Sequence, residues 1–214
     1  MITLYGRRSS INVQKVLWTL GELGLSFRHV DLGGAAGGLD TAAFLAMNPH
    51  GRIPVIEDGG VHVWESNAIV RYLCAAYSDG GLSPAAARGR ALCDEWMEWS
   101  STALQPAVVG LFWSFYRTPA AQRNLGANAQ LAAQSAELLG RLDQWLAGRA
   151  YVGGDAFSMA DLPAGTLMHR CYTMGVALPE GPALAAWRER LAKRPAYREA
   201  IMQPFDELFG RLAF

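Results

Sequence analysis

The stretch Asn48-Pro49-His50-Gly51-Arg52-Ile53-Pro54 opens the part of the chain that decides the fold. It leads into two short runs rich in β-branched residues, 54–58 and 61–64, which are separated by two glycines. A two-residue glycine turn between such runs predicts a β-hairpin. Glu65-Ser66-Asn67-Ala68-Ile69 follows at once and begins a helical pattern of apolar residues. The order strand, strand, helix therefore ends the first part of the chain.

Two further strands and two helices are predicted on the N-terminal side of this stretch. The short apolar run 2–5 is typical of a buried strand, and residues 27–31 are predicted to form a second strand. Between them, apolar residues recur every three or four positions, which predicts a helix that Gly24 ends. A short helix over 41–47 completes the order βαβαββα. A strand-helix-strand unit needs a parallel crossover and the hairpin adds antiparallel neighbours, so we expect a mixed sheet covered by helices.

The pattern on the C-terminal side is almost wholly helical. Residues 78–85 combine turn formers with a proline, which is typical of a linker. Helical periodicity covers 86–115, 125–146, 159–174 and 183–191. The predicted fold class is α/β plus all-α: an α/β domain over 1–77, a linker over 78–85 and an all-helical bundle over 86–214.

A helix start is encoded by Ser158-Met159-Ala160-Asp161. A serine followed three residues later by an acid is the pattern of a capping box, and Phe157 just before it can pack as a hydrophobic staple. We expect this stretch to have a structural role.

Composition excludes several classes of function. The chain carries 19 basic and 19 acidic residues among 214, so it lacks the positive charge that binds nucleic acid or an anionic membrane. No leader-like or membrane-spanning stretch is recognisable, and we expect a cytoplasmic protein. Three cysteines without a CxxC spacing predict neither a disulfide framework nor a zinc ribbon. The four scattered histidines predict no metal site.

The stretches 48–54 and 65–69 together resemble the glutathione-site signature of the cytosolic glutathione S-transferases. The resemblance covers nearly the whole chain. It implies that the N-terminal domain is thioredoxin-like and that the helical bundle lines a pocket for a second substrate. It further implies a detoxification enzyme that uses glutathione as co-substrate, needs no metal, and forms a homodimer through one N-terminal domain and the partner's helices.

The helix start Ser10-Ile11-Asn12-Val13-Gln14-Lys15-Val16 is similar to the serine-type theta, phi and zeta classes. A free thiol has a pKa near 8.5, so the enzyme must favour the thiolate. The Ser10 hydroxyl would donate a hydrogen bond to the sulfur, with the positive end of the helix nearby. Ser9 and Asn12 are competing donors; we rank Ser10 first and Asn12 second. A plain N-cap is the other role open to Ser10.

The resemblance also implies how the tripeptide is held. A cis bond between Ile53 and Pro54 would turn the Ile53 backbone out of the sheet to pair with the cysteinyl segment. Ser66 would bind the γ-glutamyl carboxylate and Glu65 would pair with its ammonium group. Without the resemblance, Pro54 is a strand-starting proline, Ser66 an N-cap and Glu65 an acid that favours the helix dipole.

The glycine end of glutathione has fewer candidate contacts. Arg52 is the position that would hold the glycine carboxylate, and its other reading is a solvated loop arginine. Related classes add a basic residue before the second helix, but residues 32–47 contain none. His50 would partly substitute for it.

The second substrate, a small hydrophobic electrophile, is expected between the domains, where pockets have apolar walls. From the aromatic stretch 111–117 we predict Trp113, Tyr116 and Arg117 as substrate contacts, and Phe112 and Phe115 as packing residues. Two other functions stay open: a glutathione-dependent disulfide or peroxide reductase, and a non-catalytic binding module that keeps the fold.

Overall fold

The fold is described by a computed structural model for residues 1–212; the last two residues of the predicted helical domain lie outside this range. The N-terminal part contains β1 (Ile2–Tyr5), α1 (Ile11–Glu22), β2 (Phe27–Val30), α2 (Ala42–Met47), β3 (Val55–Asp58), β4 (Val61–Trp64) and α3 (Ser66–Tyr77). The C-terminal part contains α4 (Ala87–Trp99), α5 (Gln105–Leu111), α6 (Leu125–Leu146), α7 (Asp161–Thr173), α8 (Pro182–Ala192) and α9 (Pro195–Ala200). The predicted order βαβαββα and the helical second part are confirmed.

The four strands form one mixed sheet in the order β2-β1-β3-β4. Strand β1 runs parallel to β2 and antiparallel to β3, with Leu4 paired to His29 on one side and to Ile56 on the other. The hairpin β3–β4 adds the edge strand. This arrangement is the thioredoxin-like fold that the resemblance implied.

Helix α1 is held by a core that both parts of the chain share. Trp18 of α1 is fully buried, with its ring 5.5 Å from that of Phe157 and 4.8 Å from that of Tyr197. It approaches α7 at Gly165, where an added Cβ would lie 2.8 Å from Trp18 Cη2. This close packing fixes α1, and with it the N-terminal tip of α1, against the helical part.

The predicted helical region 86–115 is interrupted by two π-helical segments. The first, over 100–104, precedes Pro106, which has no N–H to continue the α-helical ladder. The hydroxyls of Ser100, Ser101 and Thr102 donate to the carbonyls four residues earlier, which further loosens this turn. The second segment covers Phe112–Arg117. Prediction missed both segments, and it also missed α9, which is only six residues long.

The predicted linker 78–85 contains no helix or strand. Leu82 within it is buried and its carbonyl accepts a hydrogen bond from Met159 N at 2.9 Å, so the segment is tied to the helical part. The domain bounds themselves stay a prediction. Among the helices of residues 1–212, none combines the length and the apolar composition of a membrane span.

Candidate functional site

A cavity of about 150 Å³ lies at the N-terminal tip of α1, where the two parts of the chain meet. A cavity of this size is large enough for a benzene-sized ligand, by comparison with engineered cavities of ~150 Å³. Its lining residues are Arg7, Ser9, Ser10, Ile11 and Asn12 from the N-terminal part and Gln105, Val109, Phe112, Trp113, Arg117, Arg170 and Leu208 from the C-terminal part. The structure therefore brings together the predicted Ser10, Asn12, Trp113 and Arg117.

Ser10 is the N-cap residue of α1, with extended backbone angles. Its side chain makes no capping hydrogen bond, although an N-cap serine ordinarily accepts one from the first turn. Ser10 lines the cavity at the positive end of the helix. This position suits a donor to an anionic ligand atom; that the atom is a thiolate stays a prediction.

Asn12, the second predicted donor, is oriented by two neighbours. Its Oδ1 accepts hydrogen bonds from Gln105 Nε2 at 3.2 Å and from Ser66 Oγ at 3.4 Å. The carbonyl end of the amide is therefore engaged with the protein, and the amide N–H groups are the end suited to a ligand. Gln105, which the sequence analysis did not single out, thus connects the helical part to the tip of α1.

The loop before β3 has the geometry that the resemblance implied. The Ile53–Pro54 peptide bond is cis. Asn48 is buried, and it donates from Nδ2 to Arg52 O at 2.7 Å while its Oδ1 accepts from His50 N at 3.0 Å. The side chains of His50 and Arg52 are exposed on this loop. Asn48 holds the loop that carries them, a role that the sequence analysis missed.

Glu65 has a backbone conformation that is unusual for a residue with a side chain. Its φ is +66°, in the left-handed region where glycine is favoured, and it precedes the buried Ser66 at the start of α3. Strained residues of this kind cluster at ligand sites. Because glycine would fit here at lower cost, the carboxylate of Glu65 is a candidate for function.

Lys15 lies beneath these residues and is 1% exposed. Its Nζ donates to Ser66 Oγ at 3.0 Å and to Asn67 Oδ1 at 2.8 Å. Asn67 Nδ2 in turn donates to Ser101 Oγ at 2.8 Å. Burial lowers the pKa of Lys15 from 10.5 to about 7, although the charge of Glu65 opposes this shift. A buried lysine thus holds the start of α3, and the only sequence signal was a lysine within an apolar helix.

Stability is expected to rise with pH because of Lys15. Between about pH 7 and 10.5, the unfolded chain binds a proton at Lys15 that the folded chain does not, so raising the pH favours folding. Compared with Lys15→Met, the wild type should gain up to about 5 kcal/mol across this window. Urea unfolding at several pH values measures the difference. The matched control is Lys193→Met, since Lys193 is the other lysine and is exposed; parallel curves for wild type and Lys15→Met would contradict the prediction.

The three predicted substrate contacts differ in position. Trp113 lines the cavity and is 38% exposed. Arg117 also lines it, with its guanidinium 3.8 Å from the centre of the Trp113 ring and Nε donating to Arg211 O at 2.7 Å. Tyr116 is not part of the lining: it is 8% exposed, and its ring stacks on that of Phe112 with the ring centres 5.1 Å apart. We therefore correct the role of Tyr116 to that of a residue that packs behind Phe112.

The described residues offer little support for a cysteine nucleophile or for a metal centre. Cys74, Cys93 and Cys171 are all buried free thiols, and burial raises the pKa of Cys74 and Cys171 to about 12, so neither is poised as a nucleophile. Within residues 1–212, no three histidine, cysteine or acidic side chains form a cluster that could hold a metal.

A thioredoxin-like domain with a cis-proline loop, joined to a helical domain across a cavity at the tip of α1, defines the class of cytosolic glutathione transferases. Comparison with known proteins agrees. The family model described as "Glutathione S-transferase, N-terminal domain" matches residues 1–75, and "Glutathione S-transferase, C-terminal domain" matches residues 104–195. The chain belongs to the glutathione S-transferase family.

Similar proteins come from bacteria and plants. The chain is 36% identical to Glutathione S-transferase GstB of Escherichia coli over 95% of this chain and 99% of that protein. It is 33% identical to Glutathione S-transferase 3 of Zea mays, over 94% and 93% of the two chains. Among solved structures, the theta class enzyme of Xanthomonas axonopodis pv. citri with glutathione bound has a TM-score of 0.91 at 44% identity and covers 95% of this chain and 98% of that chain.

Proposed function

We propose that this protein conjugates the thiolate of glutathione to a small electrophile. The thiolate attacks the electrophilic carbon, the carbon–sulfur bond forms as the leaving group departs with its electron pair, and the thiol proton passes to solvent. The observation that carries this proposal is Ser10, which lines an interdomain cavity at a helix tip while its side chain makes no capping hydrogen bond. A hydrogen bond from Ser10 and the helix end would both favour the thiolate over the thiol.

Glutathione would lie extended along the N-terminal domain. Arg52, with His50 beside it, would hold the glycine carboxylate, and the backbone of Ile53 before the cis Pro54 would pair with the cysteinyl segment. The cis bond and the Asn48-held loop support this arrangement.

At the other end, Ser66 and the N–H groups of α3 would bind the γ-glutamyl carboxylate while Glu65 pairs with the ammonium group. Asn12 is the second candidate for contact with the sulfur. The second substrate would occupy the cavity beside Trp113 and Arg117. Orientation of both reactants in one cavity would add to the rate.

The organisation of the protein completes the proposal. We place the glutathione-binding domain at 1–77, the linker at 78–85 and the substrate-binding domain at 86–214. We also propose a cytoplasmic homodimer in which the N-terminal domain of one protomer contacts the helices of its partner. Sedimentation of the purified protein would test the dimer.

Glutathione binding depends on Glu65 in this proposal. Glu65→Gln should weaken the calorimetric Kd for glutathione about 10- to 100-fold, because a charge-assisted hydrogen bond is worth roughly 1.5–3 kcal/mol. Glu189→Gln, a change at an exposed carboxylate of α8, is the control and should bind like the wild type.

Product analysis with 1-chloro-2,4-dinitrobenzene then identifies the reaction. The thioether adduct would support conjugation. Oxidised glutathione from a disulfide or hydroperoxide, without any adduct, would point to a reductase. Absence of glutathione binding by the wild type would leave the non-catalytic module.

A further inference from the structure

The cavity beside Ser10 has a strongly cationic wall. Arg7, which follows β1, Arg117, which ends the second π-helical segment, and Arg170, in the last turn of α7, all line it. Among the described residues of the wall, no side chain is acidic. An apolar pocket for a neutral electrophile needs no such charge, and of the three arginines Arg170 is the one whose contacts leave its charge to be explained.

Like Arg117, which is 1% exposed, Arg170 is buried in this wall, and it is 5% exposed. Its Nη2 donates to the carbonyl of Ser9 and, at 3.3 Å, to Gln14 Oε1. Its Nε is buried and has no hydrogen-bond acceptor within residues 1–212. Buried donors are nearly always satisfied, and a buried cation is costly without an opposite charge. A ligand that brings an anionic oxygen would remove both costs.

Neighbouring charges reinforce this conclusion. Burial is the main cause that lowers the pKa of Arg170 to about 10, and the positive charges of Arg7 and Arg117 lower it further. The negative charge of Glu207 raises the pKa of Arg170, and that of Asp31 raises the pKa of Arg7. Both acids line a neighbouring cavity and not this one. At neutral pH all three guanidinium groups are charged, so the wall attracts anions.

We propose that the second substrate is an electrophile that carries an anionic group, such as a carboxylate, which Arg170 binds together with Arg7 and Arg117. The inference rests on the proposed conjugation reaction. A guanidinium group recognises a carboxylate through paired N–H donors. Phe112 and Trp113 in the same wall would contact the apolar body of the substrate, and the adjacent Ser10 would place the sulfur beside the reacting carbon.

A matched pair of substrates tests this proposal: 4-chloro-3-nitrobenzoate and its methyl ester. In both, the thiolate displaces chloride from the same ring position, so the substrates differ mainly in charge. For each, kcat/KM is divided by the rate constant of the uncatalysed reaction with glutathione. We expect this ratio to be at least about tenfold higher for the carboxylate than for the ester, which corresponds to one favourable charged contact.

Variants of the wall arginines identify the residues that cause the preference for the carboxylate. Arg170→Gln and Arg7→Gln should each reduce the carboxylate-to-ester preference about tenfold. Arg7→Gln is the safeguard if Arg170→Gln does not fold, since Arg170 also binds Ser9. Arg8→Gln is the control, because Arg8 is exposed and is not in the cavity wall, and it should keep the wild-type preference.

Three results would overturn the proposal. One is a wild type that prefers the ester or shows no preference. Another is arginine variants that lose both activities equally, which would assign the positive charge to the thiolate instead. If neither substrate gives a thioether, the conjugation reaction fails and this inference fails with it; conjugation of the ester alone would overturn only this inference.

Discussion

Replacing Ser10 by alanine is expected to lower kcat/KM for conjugation about 10- to 100-fold near neutral pH. One charge-assisted hydrogen bond to the sulfur is worth roughly 1.5–3 kcal/mol, so without it the pKa of bound glutathione should rise by about one to two units. The loss should shrink as the pH rises, because the free thiol ionises near pH 8.5 without assistance. Turnover should fall more than glutathione affinity, since the lost interaction acts on the thiolate.

Two measurements check this expectation. The pH profile of kcat/KM gives the kinetic pKa, and the ultraviolet absorbance of the thiolate in the binary complex gives the pKa of bound glutathione. Ser9→Ala and Asn12→Ala are the matched comparisons, since both residues line the same cavity. An unchanged rate and titration for Ser10→Ala, with loss of both in Asn12→Ala, would transfer the role to Asn12.

Replacing Asp161 by alanine is expected to lower the free energy of unfolding by about 3 to 5 kcal/mol. The fully buried carboxylate accepts three hydrogen bonds: from Val152 N at 2.8 Å, Ser158 N at 3.0 Å and Trp187 Nε1 at 2.8 Å. Alanine would leave these buried donors without acceptors. The bond from Ser158 N is one half of the predicted capping box, but the other two bonds reach α8 and the loop before α7.

Urea unfolding at pH 8 measures this loss. Burial raises the pKa of Asp161 to about 6, so the carboxyl is ionised at that pH. The free energy of unfolding of Asp161→Asn should lie between those of the wild type and Asp161→Ala. The asparagine Oδ1 can still accept a hydrogen bond, but its amide nitrogen faces a backbone or indole donor. Asp155→Ala is the control, an exposed acid in the same loop. A loss for Asp161→Ala no larger than that of Asp155→Ala would refute the prediction.

Much of the candidate site could be predicted because it is encoded locally. The serine at the start of α1, the loop before β3 and the Glu65-Ser66 pair before α3 are short stretches whose backbone geometry follows from nearby residues. Residues that act across the two parts of the chain could not be found this way. Arg170 and Gln105 reach the tip of α1 only because α7 and the start of α5 pack against it.

Tyr116 shows why helical periodicity in a sequence does not fix the direction in which a side chain points. A π-helical turn inserts one residue into the helix, which rotates all later side chains by about 100°. The π-helical segment that contains Tyr116 therefore changes which faces point toward the cavity, and the sequence carries no sign of it.

The amino-acid order by itself determined the succession of strands and helices, the hairpin and the helix caps, since these depend on spacing and on neighbours a few residues apart. It also determined which faces are apolar. Only the tertiary structure decided which faces meet: it buried Lys15 under Ser66, turned Tyr116 into the core and gathered three arginines around one cavity. The reason is that hydrophobic burial has no direction, so a pattern specifies that a face is covered but not by what.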